Sequence, residues 1–382
     1  MNMADYHFPP IDLLKESGEY SSFTDLQYVS RIRQRIADMF ISFGMDVKVI
    51  DSAANAYSIL LKLQLGEKVT PKAVWNLRKD IEVTSDGNPV DFMDTPDGKG
   101  IIVAVKNQRR PIIPVKDVIR SAAFAEAKSK LTIAAGINIF AGYMTIDLAA
   151  LPNLIVLGVT GAGKTTFLND ILLSVLYKAR PDEVRLAMID TKGVDLPPLN
   201  GIPHMEGCFR VANTAPSGTR ILKWLMNESL ERVSQMRAKR VETIDEYNRF
   251  STSRKPHIIL IIDEYADFKD KSTQNVDDML VFLARNSAMT GIHIILATQS
   301  ARKEHLSKEI REAIPSRACL VVADERESRI AIDRTGAGQL AGNGDMIFTR
   351  DENDPGIRIQ AAYAEDEEID RVAAFLRNES KA

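Results

Sequence analysis

The pattern of apolar and polar residues changes near residue 130. Beyond that point, short apolar runs alternate with longer amphipathic stretches. This alternation is typical of an α/β fold in which helices cover both faces of a mostly parallel sheet. The predicted strands are 154–158, 184–190, 257–263, 292–298 and 318–322, and the predicted helices begin near Lys164, Ser217, Val276 and Glu325.

Before residue 130 the elements are shorter and more varied. Apolar residues recur at helical spacing between residues 26 and 43, which predicts a helix there. The runs VKVI, AYSILLKLQL, IIVAVKN and PIIPVKDVI follow, and we interpret them as short strands and turns. The sequence thus predicts an N-terminal arm or linker over 1–22, a small α+β domain over 23–125 and an α/β domain over 126–382.

The composition indicates a globular chain and limits its partners. Hydrophobic residues make up 45% of the 382 residues, which is enough for packed cores. A net charge of −3 provides no general attraction for nucleic acid, so a polyanionic partner requires a local basic patch. Cys208 and Cys319 lie far apart and outside any Cys/His spacing, so they indicate no zinc site.

The N-terminal residues do not resemble a signal peptide. They lack a basic segment followed by an apolar one, and the chain contains no run of about 18 apolar residues. The sequence therefore predicts a soluble cytosolic protein with no membrane segment of its own.

GVTGAGKTT, residues 158–166, matches the phosphate-binding pattern GxxxxGK[ST] between a predicted strand and a predicted helix. Glycines let backbone N–H groups approach phosphate oxygens, and the N-terminus of the helix adds a favourable dipole. Lys164 is expected to reach the β- and γ-phosphates of ATP, and Thr165 to offer its hydroxyl to Mg²⁺. The residues predicted to hold the nucleotide are Gly158, Thr160, Gly161, Ala162, Gly163, Lys164, Thr165 and Thr166.

Polar residues at the ends of two apolar strands complete the predicted site. Asp263 and Glu264 end the apolar run of HIILIIDEYADF, and we expect Asp263 to hold Mg²⁺ through water and Glu264 to deprotonate the attacking water. This second carboxylate favours hydrolysis over phosphate transfer to another substrate. Gln299 ends IHIILATQS and is predicted to sense the γ-phosphate, because ligands of parallel sheets lie at this edge. The alternative is that Gln299 only caps a turn.

Taken together, these motifs resemble the motor portion of the FtsK/SpoIIIE family of DNA translocases. The resemblance covers about residues 130–375, and the segments that carry it are GVTGAGKTT, VRLAMIDTKGVDLPPLNGIPHM, LIIDEYADF, GIHIILATQ, IPSRACLVVADERESRIAID and GNGDMIF. It implies a RecA-like P-loop motor that forms a hexameric ring around double-stranded DNA and moves along it by hydrolysing ATP. It also implies that Asp190 and Lys192 couple the nucleotide state to the neighbouring subunit.

The chain departs from the family pattern in three respects. We expect no counterpart of the membrane helices that precede the motor in the family, and no winged-helix module that sets direction after about residue 377. The family often has an arginine before the glycine of GIH, where this chain has Ala288. Arg285, Arg317 and Arg329 are the alternatives for an arginine that completes the site of the next subunit, and each could instead form an ordinary salt bridge.

Two basic segments, residues 269–275 and residues 300–315, follow the strands that are predicted to contact ATP. Binding of duplex DNA without sequence readout requires cations directed at phosphates. Glutamates are interleaved with the second segment, so a solvated helix face is the alternative interpretation. The candidate cations are Lys269 and Lys271 in the first segment, and Arg302, Lys303, Lys308 and Arg311 in the second.

A DNA translocase acting in segregation, plasmid or mobile-element transfer, or phage functions is therefore the first hypothesis. A protein-secretion ATPase of the related type VII class is the alternative, but such chains usually combine several motor modules with membrane segments. A nucleotide-binding scaffold without activity is disfavoured, because Lys164, Asp263 and Glu264 are all present.

Overall fold

The computed structural model divides the chain into two compact units, each with its own sheet. The smaller unit comprises Ser17–Ile112 and Ile139–Gly142, and the larger unit comprises Met1–Glu16, Ile113–Asn138 and Tyr143–Ala382. The structure describes residues 6–16, 26–54, 58–95, 100–106, 112–138, 140–151, 153–205, 210–302 and 304–379.

A helix packed on a four-stranded antiparallel sheet forms the core of the smaller unit. Ile32, Ile36 and Phe40 follow one another at one-turn spacing and are fully buried in this core. The prediction of a small α+β unit is confirmed. Its elements are α1 (Leu26–Ser42), β1 (Val47–Ala54), β2 (Ser58–Leu65), α2 (Pro71–Asn76), α3 (Arg78–Thr84), β3 (Val90–Asp94) and β4 (Gly100–Lys106), with the strand order β1-β2-β4-β3.

The larger unit is built on a nine-stranded mixed sheet. Its strands are β5 (Thr132–Asn138), β6 (Gly142–Asp147), β7 (Asn153–Leu157), β8 (Val184–Ile189), β9 (His257–Ile262), β10 (Ile292–Thr298), β11 (Arg317–Leu320), β12 (Asp345–Thr349) and β13 (Ile357–Ala361). Its helices are α4 (Val115–Arg120), α5 (Ala122–Ala125), α6 (Lys164–Lys178), α7 (Ala215–Lys239), α8 (Ile244–Phe250), α9 (Tyr265–Asp270), α10 (Val276–Thr290), α11 (Lys308–Ala313), α12 (Glu325–Ile332) and α13 (Asp366–Glu379).

The strand order is β6-β5-β13-β12-β11-β7-β10-β9-β8. The five predicted strands form its parallel part, in which β7 lies between β10 and β11. The strands β12, β13 and β5 add antiparallel neighbours on the other side of β11. Alternate residues of β7 show that both faces are covered, because Ile155 joins the core with α7 and α10 while Leu154 and Val156 are buried as well.

Residues near the predicted boundary at 125, between the small domain and the α/β domain, fold differently from the sequence prediction. PIIPVKDVI, interpreted as strand and turn, contains α4, which begins directly after Pro114. Proline at the start of a helix leaves no hydrogen bond unmade, and a short apolar run cannot distinguish helix from strand. α4 packs against β5 and α6, so residues 113–125 belong to the larger unit rather than to the small domain predicted over 23–125.

The predicted arm is also part of the larger unit where the structure describes it. Leu14 is buried, the backbone N–H of Lys15 donates to Glu368 at 2.7 Å, and Arg371 Nε donates to the carbonyl of Leu13 at 3.0 Å. Residues 6–16 are therefore attached to α13. Among the helices that the structure describes, none is both long and apolar enough to cross a membrane.

Helix α6 contains an acidic side chain in its buried face. Asp170 is fully buried, and neither carboxyl oxygen has a hydrogen-bond partner among the described residues. Burial raises the pKa of Asp170 well above its usual range, and the neighbouring Glu368 raises it further. The folded state therefore favours the protonated carboxyl group.

Replacement of Asp170 by Asn should stabilise the protein relative to the native chain, increasingly so as the pH rises from about 4 to about 8. Above about pH 4 the unfolded chain releases the Asp170 proton while the folded chain retains it, so the native protein loses stability with rising pH. The measurement is the difference in Tm between variant and native protein at each pH. Asp370→Asn is the control, because Asp370 is exposed on α13. A Tm difference for Asp170→Asn that does not vary with pH would contradict the prediction.

Candidate nucleotide-binding site

The loop 158–163 joins β7 to α6 at the carboxyl edge of the parallel strands. Gly161 and Gly163 have φ values of +78° and +103°, which only glycine adopts readily. A Cβ atom on Gly163 would lie 2.8 Å from the backbone nitrogen of Gly344. Position 163 therefore requires glycine for two reasons: its backbone conformation, and the close approach of the loop that contains Gly344.

The backbone of this loop is held from both sides. The N–H of Gly158 donates to the carbonyl of Thr298 at 3.4 Å, and that of Val159 donates to Val321 at 3.0 Å. Within the described part of the chain, the N–H groups of Gly161 and Gly163 have no acceptor. Unpaired N–H groups at the N-terminus of a helix provide the donors that phosphate oxygens require, so the loop fits a phosphate.

Lys164 connects this loop to the end of β9. Its side chain is buried, and Nζ donates to the carbonyl oxygen of Asp263 at 3.0 Å. Nζ also lies 3.4 Å from Glu264 Oε2 and 3.9 Å from Asp263 Oδ1. The structure thus brings together three residues that the sequence analysis assigned to one site.

Asp263 is almost completely buried, with a relative exposure of 1%. Its Oδ1 has no hydrogen-bond partner among the described residues. Burial raises the pKa of Asp263 to about 6, and the Lys164 ammonium acts in the opposite direction. A buried carboxylate oxygen without a donor is a favourable ligand for a hydrated cation, so this donor set fits the predicted magnesium.

Glu264 is held by contacts to both of its carboxylate oxygens. Oε1 accepts hydrogen bonds from Thr298 Oγ1 at 3.0 Å and from the N–H of Gln299 at 3.1 Å. Oε2 lies 3.4 Å from Lys164 Nζ and 3.5 Å from Lys192 Nζ. Both residues at the end of β10 therefore fix the orientation of this carboxylate.

Gln299 also contacts the phosphate loop directly. Its Oε1 accepts a hydrogen bond of 2.9 Å from Thr160 Oγ1. Thr165 and Thr166 are half-buried in the first turn of α6, and Ala162 is buried beneath the loop. The residues predicted to hold the nucleotide thus lie together in this loop and its first helical turn.

Asp190 has a structural role that the sequence analysis did not identify. Its buried carboxylate accepts hydrogen bonds from five successive backbone N–H groups at 2.8–3.2 Å, those of residues 192–196. Asp followed by a glycine three residues later is a recognisable turn signal, and the turn DTKG was available in the sequence. This network fixes the loop that carries Lys192.

The segment GNGDMIF supports the phosphate loop from the antiparallel part of the sheet. The N–H of Gly344 donates to the carbonyl of Ala162 at 2.9 Å. Two nitrogens of Arg358 donate to the Asp345 carboxylate at 2.8 and 2.6 Å, and such bidentate pairs are geometrically specific. In the sequence this segment carries only the resemblance, and its contact with the phosphate loop is visible only in the fold.

The three candidate arginines lie in different environments. Arg285 on α10 and Arg329 on α12 are exposed. Arg317 on β11 is 5% exposed, and its guanidinium donates to the carbonyls of Ala331 at 3.1 Å and Arg311 at 2.8 Å. Burial lowers the pKa of Arg317 to about 10. Arg317 therefore connects elements of its own chain.

The candidate DNA-contacting cations differ in exposure and in their ion-pair partners. Lys269 Nζ lies 3.0 Å from Asp277 and donates to the carbonyl of Glu304, and Lys271 Nζ lies 2.8 Å from Asp267.

In the second basic segment, Arg302 is exposed, Lys308 is exposed and lies 3.3 Å from Glu312, and Arg311 is half-buried. Lys303, like Cys208, lies outside the described residues.

Comparison with known proteins agrees with these features. A model of the FtsK/SpoIIIE family matches residues 114–342. The chain is 33% identical over 383 residues to a DNA translocase FtsK of Clostridium acetobutylicum, an alignment that covers 98% of this chain and 50% of that relative. The chain spans about half the length of the curated relatives that it matches.

Solved structures of low sequence identity share the fold. One is the pCW3 conjugation coupling protein TcpA in a monomer form with ATPγS, with a TM-score of 0.60 at 19% identity, covering 89% of this chain and 96% of that chain. Another is EssC (ATPases 2 and 3) from Geobacillus thermodenitrificans, with a TM-score of 0.59 at 18% identity, covering 72% of this chain and 52% of that chain. The predicted P-loop motor fold is confirmed. Because the family match extends over more than half of its length, the chain belongs to the FtsK/SpoIIIE family.

Proposed function

We propose that the chain hydrolyses ATP and uses the energy to move along double-stranded DNA. The observation that carries this proposal is the convergence of Lys164, Asp263 and Glu264 at the carboxyl edge of the parallel strands. A cation for the phosphates, a ligand for a metal and a base for water are the components that a P-loop hydrolase requires.

Each residue of the site has a proposed role in hydrolysis. Lys164 and the backbone of the glycine loop bind the phosphates of ATP. Mg²⁺ held by Thr165 and Asp263 would neutralise charge on the phosphates when bound. Glu264 orients the attacking water and accepts its proton, and Gln299 connects the phosphate loop to the end of β10, where it can respond to the γ-phosphate.

Double-stranded DNA is the proposed substrate of movement, because relatives at about 30% identity are named DNA translocases. The similarity to EssC motor modules keeps a type VII protein-secretion ATPase as the alternative, but at 18% identity it concerns the fold alone. The proposed process is DNA segregation, plasmid or mobile-element transfer, or phage DNA transfer.

We further propose that the active form is a ring, by the resemblance a hexamer, in which an arginine of one subunit completes the site of the next. Arg285 and Arg329 are the preferred candidates because their side chains are exposed. Arg317 is disfavoured, because its guanidinium already donates to carbonyls of its own chain.

For contact with DNA, we propose the segment from Ser300 to Pro315 ahead of the segment that contains Lys269 and Lys271. The two lysines pair with the partly buried carboxylates of Asp277 and Asp267. In the pair of Lys308 with Glu312 both side chains are mostly exposed, and an exposed ion pair is weak, so Lys308 is more available to phosphates. The segment 300–315 follows β10, whose last residues hold Glu264, so a change at the nucleotide can reach it.

Lys164→Ala should abolish ATP binding or turnover, whereas Glu264→Gln should retain binding and lower kcat by about 10² to 10⁴-fold, because only the transition state needs the base. Binding of a fluorescent ATP analogue and steady-state hydrolysis, with and without duplex DNA, are the measurements. Glu242→Gln makes the same chemical change at an exposed site and should behave as the native protein.

Two results would argue against these assignments. Near-native hydrolysis by Glu264→Gln would exclude Glu264 as the base. A native rate that duplex DNA does not change would favour the secretion ATPase over the translocase.

Mixing Lys164→Ala protein with Arg285→Ala, Arg317→Ala or Arg329→Ala protein should restore hydrolysis for the arginine that acts between subunits. Lys164→Ala and the variant of the arginine that acts between subunits are each inactive alone, but in a mixed ring a native phosphate loop can meet a native arginine of its neighbour. Hydrolysis is measured as a function of mixing ratio. Arg254→Ala, at another exposed position, should be active without mixing. Absence of rescue in every mixture would count against completion of the site by a neighbour.

Simultaneous neutralisation of Arg302, Lys303, Lys308 and Arg311 should leave basal hydrolysis nearly intact and remove its stimulation by DNA. The slope of log affinity against log salt should become shallower by about 0.9 for each DNA phosphate that the variant no longer neutralises. DNA affinity is measured at several salt concentrations for unrelated duplex sequences. The control set with the same change in net charge consists of the exposed residues Lys62, Lys68, Lys72 and Lys79.

If the DNA affinity and its salt slope were unchanged, Lys269 and Lys271 would become the proposed DNA contacts. If neutralisation of these two lysines also had no effect, the DNA translocase proposal would fail.

A further inference from the structure

The two oxygens of the Glu264 carboxylate have different kinds of partner. Oε1 accepts from the neutral donors Thr298 Oγ1 and the N–H of Gln299. Oε2 lies between the ammonium groups of Lys164 and Lys192, at 3.4 and 3.5 Å. Glu264 itself is buried, with a relative exposure of 6%. A buried carboxylate is costly unless it is paired, so both lysines contribute to holding it.

Lys192 reaches Glu264 from a loop whose backbone is fixed. The Asp190 carboxylate accepts the N–H of Lys192 and of the four residues that follow it. The hydroxyl of Thr191 donates to Asp267 on α9, the helix that begins directly after Glu264. The base of the Lys192 side chain is thus attached to the element that carries its carboxylate partner.

Binding of ATP affects the two lysines differently. Lys164 belongs to the phosphate loop, so its ammonium must turn to the phosphates when ATP binds. The contact between Lys164 and Glu264 then weakens at the moment when phosphate charge approaches the carboxylate. Lys192 lies outside the phosphate loop, and its side chain, with 39% exposure, can keep its place beside Oε2.

We propose that Lys192 is a positioning residue for Glu264 of its own subunit: it holds the carboxylate in the orientation for water activation after Lys164 has turned to ATP. This inference rests on the proposed function and assigns Lys192 a role within one subunit, whereas the family resemblance implies coupling to the neighbouring subunit. Thr298 and the N–H of Gln299 fix the other oxygen, and Asp190 acts indirectly by ordering the loop.

The first test is Lys192→Met, which keeps the length of the side chain and removes its charge. We expect kcat for DNA-stimulated ATP hydrolysis to fall by about 10- to 100-fold, as for other small misplacements of a reacting group, with KM for ATP nearly unchanged. Lys192→Arg should recover much of the lost rate because it restores a cation. Lys223→Met, an exposed lysine on α7, is the matched control and should keep the native kcat.

The second test distinguishes action within a subunit from action between subunits. Lys192→Met protein is mixed with Glu264→Gln protein, and hydrolysis is followed against the mixing ratio. If Lys192 serves its own Glu264, every site in the mixed ring lacks one of the two groups and the mixture stays slow. If Lys192 serves the neighbour, some sites regain both groups and the rate rises.

The proposal is overturned by a native kcat in Lys192→Met, by a loss that appears in KM rather than kcat, by equal losses in the Met and Arg variants, or by rescue in the mixture. Failure of the proposed function is a separate result, because it appears as absence of ATP hydrolysis in the native protein.

Discussion

The placement of the Lys164 ammonium against the end of β9 is the interaction on which the candidate site depends. Nζ donates to the carbonyl of Asp263 and lies near both carboxylates. Without this cation, the buried carboxylates of Asp263 and Glu264 would lose a positive charge that lies near both of them, which is electrostatically unfavourable. The same cation is the one that phosphates attract, so nucleotide binding must rearrange the charge balance of the site. The roles of Lys192, Thr298 and Gln299 follow from this requirement.

A second constraint is the close approach of the antiparallel part of the sheet to the phosphate loop. Gly344 donates to the carbonyl of Ala162, and the space beside Gly163 leaves no room for a side chain. The Asp345–Arg358 pair fixes the strands on either side of this contact. The loop is therefore supported by β7 and β10 on one side and by the GNGD turn on the other, which restricts its conformations before any phosphate arrives.

Much of the motor was predictable because its signals are local. Apolar runs bounded by turn residues identify β7, β9 and β10, and the starts of α6, α10 and α12 coincide with the predicted positions. The misassigned α4 shows the limit, since a run of six residues has too few turns for its periodicity to be decisive. The strands β5, β6, β12 and β13 were missed for a related reason, because an isolated run of five to seven residues carries too little periodicity to be decisive.

The sequence by itself determined the strand–loop–helix unit around Lys164 and the acidic end of β9, since glycines with positive φ and an apolar run before Asp263 act through neighbouring residues. Only the tertiary structure decided which distant groups meet there. Lys192 reaches Glu264 and Gly344 reaches Ala162 because the strand order brings their loops to the same edge of the sheet. Arg317 is turned inward because its strand packs beside the segments that carry the carbonyls of Arg311 and Ala331. Strand order depends on the packing of whole faces, and the spacing of residues within a segment carries no information about it.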